Sequence, residues 1–198
     1  GHDDDADRSV RTSIAMIREL WNWNKVRLTE GKLPVDIGIG LNTDNVVSGT
    51  IGSKKRMDYT IIGDGVNLAA RLESACKQYG AHIVLSEFPD KQLRGTCLGR
   101  RLDLVVVKGK TKPVAIYEVL DYHTDESYPQ MTDALRHFRS GLMKYRQQKW
   151  TDARNEFGEV LALNAQDKAA KMYVERCDHF LANPPGDDWD GVWVMESK

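Results

Sequence analysis

The stretch MDYTIIGDGVNLAARLES, residues 57–74, constrains the fold more than any other part of the chain. Its first half has the β-branched and aromatic residues typical of a strand, and its second half has the apolar spacing of a helix. Gly63 and Gly65 lie between the two halves and allow a sharp backbone turn. The sequence therefore predicts a strand that turns directly into a helix, and this helix carries Asn67 and Arg71 near its start.

Asn67 and Arg71 are four positions apart, so both side chains emerge on one helix face and can contact the same ligand. An amide can hold a sugar oxygen, and an arginine fork suits the charge that develops on phosphate oxygens during displacement at phosphorus. These residue types fit nucleotide chemistry. Spacing alone also fits a plainer interpretation, in which Asn67 is a surface residue and Arg71 pairs with Glu73 or Asp64.

A hairpin is predicted upstream of this stretch, within VDIGIGLNTDNVVSGTIG. Two runs of alternating or β-branched residues are joined there by residues 42–44, which favour a turn. The glycines at positions 38, 40 and 49 weaken the strand propensity. They indicate close approach by another backbone or by a ligand, with simple packing as the alternative.

The predicted elements up to residue 121 are a helix, a hairpin, a strand, a helix, a strand, a helix and a second hairpin. The first helix runs from Asp7 to about Arg27, AHIVLS is a buried strand, and residues 87–93 form a short helix. In the second hairpin, LDLVVV turns through KGKTKP into VAIYEVL. This order indicates an α+β domain with a mostly antiparallel sheet over residues 1–121.

Residues 122–128 form a predicted polar linker, and helical spacing dominates residues 129–183 beyond it. The stretch GLMKYRQQKWTDARNEFGEVLALNAQD resembles a tetratricopeptide helix pair, with the small residues Gly141 and Ala153 where two helices approach closely. A third helix is predicted over about residues 168–181. Because stacked arrays need about three repeats, a small all-α cap or dimer element is favoured over a peptide-binding groove.

The C-terminal residues 184–198 carry Trp189 and Trp193 after two prolines. We interpret this segment as a strap that buries both indoles on the preceding helices, because indoles contribute a large buried area. A docking peptide for another protein is the alternative.

Composition argues against several classes of protein. A formal net charge of -1 provides no long-range attraction for nucleic acid or for an anionic membrane. The three cysteines have no short spacing that suits zinc or a redox pair, and no run of about 18 apolar residues is present. We therefore expect a cytoplasmic segment with reduced thiols, no direct membrane contact and no nucleic-acid partner.

Three separated motifs, TIIGDGVNLAARLES, IGIGLNTDNVVSGTIGS and VVVKGKTKPVAIYEV, together resemble the second half of a class III nucleotidyl cyclase catalytic domain. The resemblance covers about residues 7–121 in the right order and implies a ferredoxin-like cyclase core. With the tetratricopeptide-like helices and the tail DWDGVWVMESK, the chain is similar to bacterial multidomain adenylyl cyclases, some of them membrane-tethered through upstream segments. The resemblance implies conversion of ATP to 3′,5′-cyclic AMP and pyrophosphate in signalling.

The resemblance implies a role for each residue that matches the family pattern. Asn67 would position the ribose, and Arg71 would stabilise the transition state as the ribose 3′ oxygen attacks the α-phosphate. Lys108, or Lys110 after a one-residue shift, would contact the triphosphate, unless both belong to a solvated hairpin turn. Thr60 stands where the family reads the base. A hydroxyl there resembles the bacterial adenylyl type, with guanylyl cyclase activity as the alternative.

The family holds Mg²⁺ or Mn²⁺ on two aspartates, and neither of the two aspartate motifs occurs in this sequence. The acidic run HDDDAD is expected to be solvated, because metal sites need rigid and convergent ligands. We therefore expect the metal ligands upstream of Gly1, in a larger protein in which residues 1–121 are the C-terminal part of the catalytic domain. Residues 1–198 alone are expected to be inactive.

Class III sites form between two domains packed head to tail, so the resemblance implies a homodimer in which this chain supplies the asparagine and the arginine. A different possibility is a catalytically silent cyclase-like module that acts through its helices in interaction or dimerisation. The presence of Asn67, Arg71 and Lys108 together favours the enzyme, because a scaffold has no chemical need for all three.

Overall fold

The structure, a computed structural model, describes residue 2 and residues 4–53, 56–86, 97–105, 113–186 and 188–192. Five helices and six strands lie within these described residues. In chain order they are α1 (Asp5–Thr29), β1 (Ile39–Leu41), β2 (Val47–Ser53), β3 (Arg56–Ile62), α2 (Asp64–Tyr79), β4 (Ile83–Ser86), β5 (Gly99–Val105), β6 (Val114–Val119), α3 (Met131–Arg146), α4 (Trp150–Leu163) and α5 (Lys168–Ala182). The short helix predicted over residues 87–93 lies outside the described residues.

Four strands form one sheet in the order β1-β4-β6-β5, and β2 pairs with β3 in a separate two-stranded sheet. β1 runs parallel to β4, whereas β4 and β5 are both antiparallel to β6. The α+β class is confirmed, but the four-stranded sheet is mixed where the sequence predicted a mostly antiparallel one. The parallel pair arises because the chain leaves β1 through a hairpin and a helix, a crossover that returns it in the same direction.

The hairpin predicted within residues 35–52 is wrong in its pairing. Residues 39–41 pair with β4, in the register Ile39 with Ile83. Residues 47–53 pair instead with β3, from Val47 opposite Ile62 to Ser53 opposite Arg56. The alternating pattern located both strands, but alternation reports burial on one face and carries no information about which strand lies alongside.

β4 separates two apolar layers, and all four of its residues are buried. Because successive strand residues face opposite sides of a sheet, Ile83 and Leu85 pack with Ile17 of α1. Val84 packs on the other side, in the cluster that contains Leu72 of α2. The sheet therefore lies between α1 and α2, which explains why Ile83, Val84 and Leu85 are apolar in succession.

The three C-terminal helices share a hydrophobic core with α2 and the sheet. Phe138 of α3, Phe157 of α4 and Tyr173 of α5 belong to the same buried cluster as Leu102 of β5. A Cβ atom added at Gly141 would lie 2.9 Å from the Phe157 ring, so α3 and α4 approach closely at the expected position. The linker at residues 122–128 and the domain limits around it stay predictions. None of the helices in the described residues is both long and apolar enough to cross a membrane.

Buried ion pairs connect β5 to α5. Arg100 donates from Nε to Glu118 at 2.7 Å, and its Nη1 donates to Asp167, the N-cap residue of α5. Arg176 donates from Nη1 to Asp103 at 2.6 Å. All five side chains are buried. Removing one partner of such a pair leaves an uncompensated charge in the interior, so these contacts fix the position of α5 relative to β5.

Trp189 lies on the C-terminal helices. Its ring centroid is 5.3 Å from that of Tyr145, 5.2 Å from that of Trp150 and 5.3 Å from that of Phe180. These contacts bury part of the indole against α3, α4 and α5. Trp193 lies outside the described residues, and a strap over residues 184–198 stays a prediction.

His123 follows the sheet in a cluster of rings, with its centroid 5.4 Å from that of Trp21 and 4.4 Å from that of Tyr122. Burial in this cluster lowers the pKa of His123 to about 4, and the positive charges of His82 and Arg100 add to the effect. The neutral imidazole is therefore the form that the fold favours.

Acid should destabilise the fold through His123. Its pKa in the fold lies below the ordinary value of 6.5. The stability that the neutral imidazole contributes is therefore fully present above pH 6.5 and is lost as the pH falls through 4. At pH 5 the loss should be roughly 1–2 kcal/mol. Urea unfolding at pH 7.5 and pH 5 would measure it in the wild type and in His123→Gln. The variant should lose less stability on acidification by about that amount, and equal losses would contradict the role of His123.

Candidate functional site

Two glycines of the β1 region let α2 lie directly on the strand. A Cβ atom at Gly40 would lie 2.2 Å from the carbonyl oxygen of Ala69, and one at Gly38 would lie 2.8 Å from the Cβ atom of Cys76. The predicted close approach of another backbone is therefore confirmed at these two positions. At Gly49 an added Cβ atom would meet open space, so no described backbone approaches there, and approach by a ligand stays a prediction.

Asn42, directly after β1, ties the first turn of α2 to the sheet. Its Nδ2 donates to the carbonyl oxygen of Gly65 at 3.1 Å, and the Ser86 hydroxyl donates to its Oδ1 at 2.7 Å. Gly65 is buried, and a Cβ atom there would lie 2.4 Å from the Cβ atom of Asp44. Sequence reasoning placed Asn42 in a hairpin turn and missed this role. The available signal was Ser86, a hydroxyl at the end of an otherwise apolar buried strand.

The two residues proposed for catalysis lie where the strand, turn and helix pattern placed them. Asn67 and Arg71 are both exposed on α2, while Leu68 and Leu72 beside them are buried. Thr60 is half-buried in β3, four residues before the helix begins. The structure therefore brings an amide and a guanidinium together on one accessible helix face, close in sequence to the hydroxyl.

Lys108 and Lys110 lie within residues 106–112, which are outside the described residues. The strands on either side are paired as predicted, with Val105 opposite Val114 in the antiparallel register. The second hairpin is thus confirmed for its strands, and the role of the two lysines stays a prediction.

The arrangement on α2 can bind an anion but supplies no nucleophile. The N-terminal end of a helix carries partial positive charge, and a guanidinium in the second turn adds a full charge and a planar fork of donors. An amide beside it can orient a hydroxyl group. This set suits recognition of a sugar phosphate and stabilisation of charge on it.

The cysteines offer no reactive thiol. Burial raises the pKa of Cys76 to about 11, that of Cys97 to about 12 and that of Cys177 to about 12. All three are free. Because the thiolate is the reactive form, these raised pKa values disfavour reaction of the three side chains at neutral pH.

Within the described ranges, no group of three His, Cys, Asp or Glu side chains could hold a metal ion. The Mg²⁺ or Mn²⁺ that the resemblance implies therefore has no fitting site in this part of the chain.

Known proteins resemble this chain in sequence and in structure. Residues 2–120 match the family model of the adenylate and guanylate cyclase catalytic domain. The terminal-differentiation specific adenylate cyclase of Dictyostelium discoideum is 33% identical over 178 residues, which cover 87% of this chain and 8% of that protein. The adenylate cyclase of Anabaena cylindrica is 39% identical over 126 residues, which cover 59% of this chain and 25% of that protein.

Two solved structures share the fold. The adenylyl cyclase CyaB from P. aeruginosa has a TM-score of 0.54 at 34% identity, and the alignment covers 63% of each chain. The guanylyl cyclase Cya2 has a TM-score of 0.51 at 34% identity, covering 60% of this chain and 59% of the other. The chain thus spans only part of each relative, and a quarter or less of the two full-length proteins matched in sequence.

Proposed function

We propose that this chain, which belongs to the family of adenylate and guanylate cyclase catalytic domains, supplies the nucleotide-positioning part of an adenylyl cyclase site. Relatives of both kinds, adenylyl and guanylyl, support nucleotidyl cyclase activity at the level of the family. One observation carries the assignment to this chain: Asn67 and Arg71 lie a turn apart on the exposed face of α2, directly after the Gly-Asp-Gly turn.

In this proposal the ribose 3′ hydroxyl loses its proton to water and its oxygen attacks the α-phosphorus of ATP. A new O–P bond forms, and the bond to the β-phosphate breaks to release pyrophosphate. Asn67 holds the ribose so that the attacking oxygen is in line. The Arg71 fork donates to the phosphate oxygens, whose negative charge rises in the transition state. Lys108, or Lys110 if the register differs by a residue, binds the triphosphate, and Thr60 contacts the base.

The metal ligands belong to a separate part of the proposed enzyme. Cyclases of this class generally use Mg²⁺ or Mn²⁺, and we propose that the ligands for these ions lie upstream of residues 1–198. Residues 1–198 alone should therefore make no cyclic nucleotide. We further propose that the site faces the cytoplasm, where ATP is available, and that the helices over residues 129–183 form a tetratricopeptide-like unit.

ATP should be preferred over GTP by the enzyme that contains this chain. The Thr60 hydroxyl can donate to or accept from the adenine edge, whereas guanine needs a differently arranged pair of groups. We expect Thr60→Val, which removes the hydroxyl and keeps the shape, to reduce the ratio of kcat/KM for ATP over GTP by about tenfold. Thr50→Val, in the facing strand β2, is the matched control and should leave the ratio unchanged. Equal rates with the two nucleotides in the wild type would exclude the adenylyl assignment.

We also propose a head-to-tail homodimer, and the β2–β3 hairpin supports it. Met57, Tyr59 and Ile61 alternate along β3 and so share one face of the hairpin. Their exposures are 63%, 72% and 50%. Large apolar side chains exposed together mark an interaction surface in soluble proteins, and aromatic residues often dominate the binding energy of such surfaces.

Tyr59→Glu should weaken the dimer at least tenfold, because it places a charge on this apolar face. Sedimentation equilibrium on a protein that contains the complete catalytic domain would give the dissociation constants. Leu181→Glu changes another exposed apolar residue, on α5 far along the chain, and should have no effect. A wild-type enzyme that is monomeric and still makes cyclic AMP would refute the shared site.

A further inference from the structure

β5 and α3 line a partly open cavity of about 780 Å³, and none of its described lining residues belongs to the proposed nucleotide site. Its wall contains apolar side chains, among them Leu98, Leu135 and Met143. Among the described residues of its lining, none is an aspartate or a glutamate. Five of these described residues contribute guanidinium groups: Arg100, Arg101, Arg136, Arg139 and Arg146.

These arginines differ in how well they are neutralised. Arg100 is buried and already paired with two carboxylates. Arg136 lies 3.5 Å from Asp133 in an exposed pair. Arg101, Arg139 and Arg146 have no ion-pair partner within the part of the chain that the structure describes. Positive charge in the cavity is therefore in excess.

Arg101 and Arg146 show most clearly that the cavity lacks negative charge. The Nε atom of Arg101 is shielded from solvent and has no hydrogen-bond acceptor in the described structure, whereas nearly all buried polar groups in proteins are paired. Loss of solvation, followed by the positive charge of Arg101, lowers the pKa of Arg146. The neighbouring carboxylate of Asp103 already accepts hydrogen bonds from Arg176 and from the Tyr79 hydroxyl.

We propose that this cavity binds a small molecule that carries a phosphate or carboxylate group and an apolar body. An anionic group placed between Arg101 and Arg146 would accept from the unpaired Nε and would relieve the repulsion between the two cations. The apolar wall would take the rest of the ligand. Pockets for small molecules have volumes of roughly 300–1,000 Å³ and combine apolar walls with a few placed polar groups, which this cavity matches.

The test uses 1-naphthyl phosphate as the probe and isothermal titration calorimetry on the 198-residue chain. 1-Naphthol, the same ring system without the phosphate, is the matched ligand and should bind at least tenfold more weakly. The double variant Arg101→Gln with Arg146→Gln should weaken 1-naphthyl phosphate at least tenfold and leave 1-naphthol unchanged. Met143→Ala, at the apolar wall, should weaken both ligands.

Two arginine variants serve as controls. Arg11→Gln, on α1, and Arg71→Ala, in the proposed nucleotide site, should both keep wild-type affinity for 1-naphthyl phosphate. Equal affinity for the two ligands, unchanged binding in the double variant, or loss of binding in Arg71→Ala would each overturn the proposal. So would binding of hexaglutamate without binding of 1-naphthyl phosphate, because that result would assign the cavity to acidic peptides. The comparison of 1-naphthyl phosphate with 1-naphthol on the wild type tests the proposal even if the double variant fails to fold.

Discussion

Replacing Arg71 by alanine should lower the turnover of the enzyme that contains this chain by about a hundredfold or more, as for loss of a donor to the transition state. The fold should survive, because α2 packs through Leu68, Leu72 and Cys76, whereas Arg71 is exposed. Steady-state formation of cyclic AMP from ATP would measure kcat and KM, and thermal melting would report on folding. A donor that acts on the developing charge should change kcat far more than KM.

Two variants on the same helix make this result specific. Lys77→Ala removes a different exposed cation, in the last turn of α2, and should leave turnover unchanged. Arg71→Lys keeps the charge but loses the planar fork, so its turnover should lie between those of the wild type and of Arg71→Ala. Wild-type turnover in Arg71→Ala would remove the residue from the site. An enzyme with no turnover in any variant, wild type included, would favour the catalytically silent module.

The sequence predicted the part of the site that depends on local chemistry. The strand, the Gly-Asp-Gly turn and the helix over residues 57–74 are each encoded by neighbouring residues, and their order placed Asn67 and Arg71 on one face. The partner of β1 could not be predicted in the same way. Its parallel neighbour, β4, lies about forty positions along the chain, in the register Leu41 with Leu85, and alternation in β1 is equally compatible with a neighbouring hairpin strand. The bridging role of Asn42 depends on that pairing, so it was missed as well.

The position of the three C-terminal helices on the rest of the fold could not be predicted from the sequence either. Its amphipathic spacing predicted three helices and the close approach at Gly141. Spacing could not show that these helices dock on the cyclase core, because the decisive contacts join charged residues that a pattern assigns to solvent. Arg100 and Asp167 are 67 positions apart, and Asp103 and Arg176 are 73 positions apart.

This docking connects the helices to the proposed chemistry. β5 supplies Arg100 and Asp103 to the buried ion pairs and leads directly into residues 106–112, where Lys108 stands. We therefore expect a shift of α5 to move the strand that precedes the predicted triphosphate contact. Removing the helices would also expose the apolar cluster that they share with α2, so point variants test their role more cleanly than truncation does.

Arg176→Ala should lower the free energy of unfolding by about 3–5 kcal/mol, because it leaves the Asp103 carboxylate buried without its cation. Urea unfolding at pH 7 would measure the loss. Arg154→Ala is the matched control, since Arg154 also pairs with an acidic residue, Asp178, but both side chains of that pair are about half exposed. Exposed pairs contribute about 1 kcal/mol or less. The double variant Asp103→Leu with Arg176→Met should recover much of the lost stability, because it removes both charges together. Equal losses in Arg176→Ala and Arg154→Ala would show that the buried pair does not hold α5 against β5.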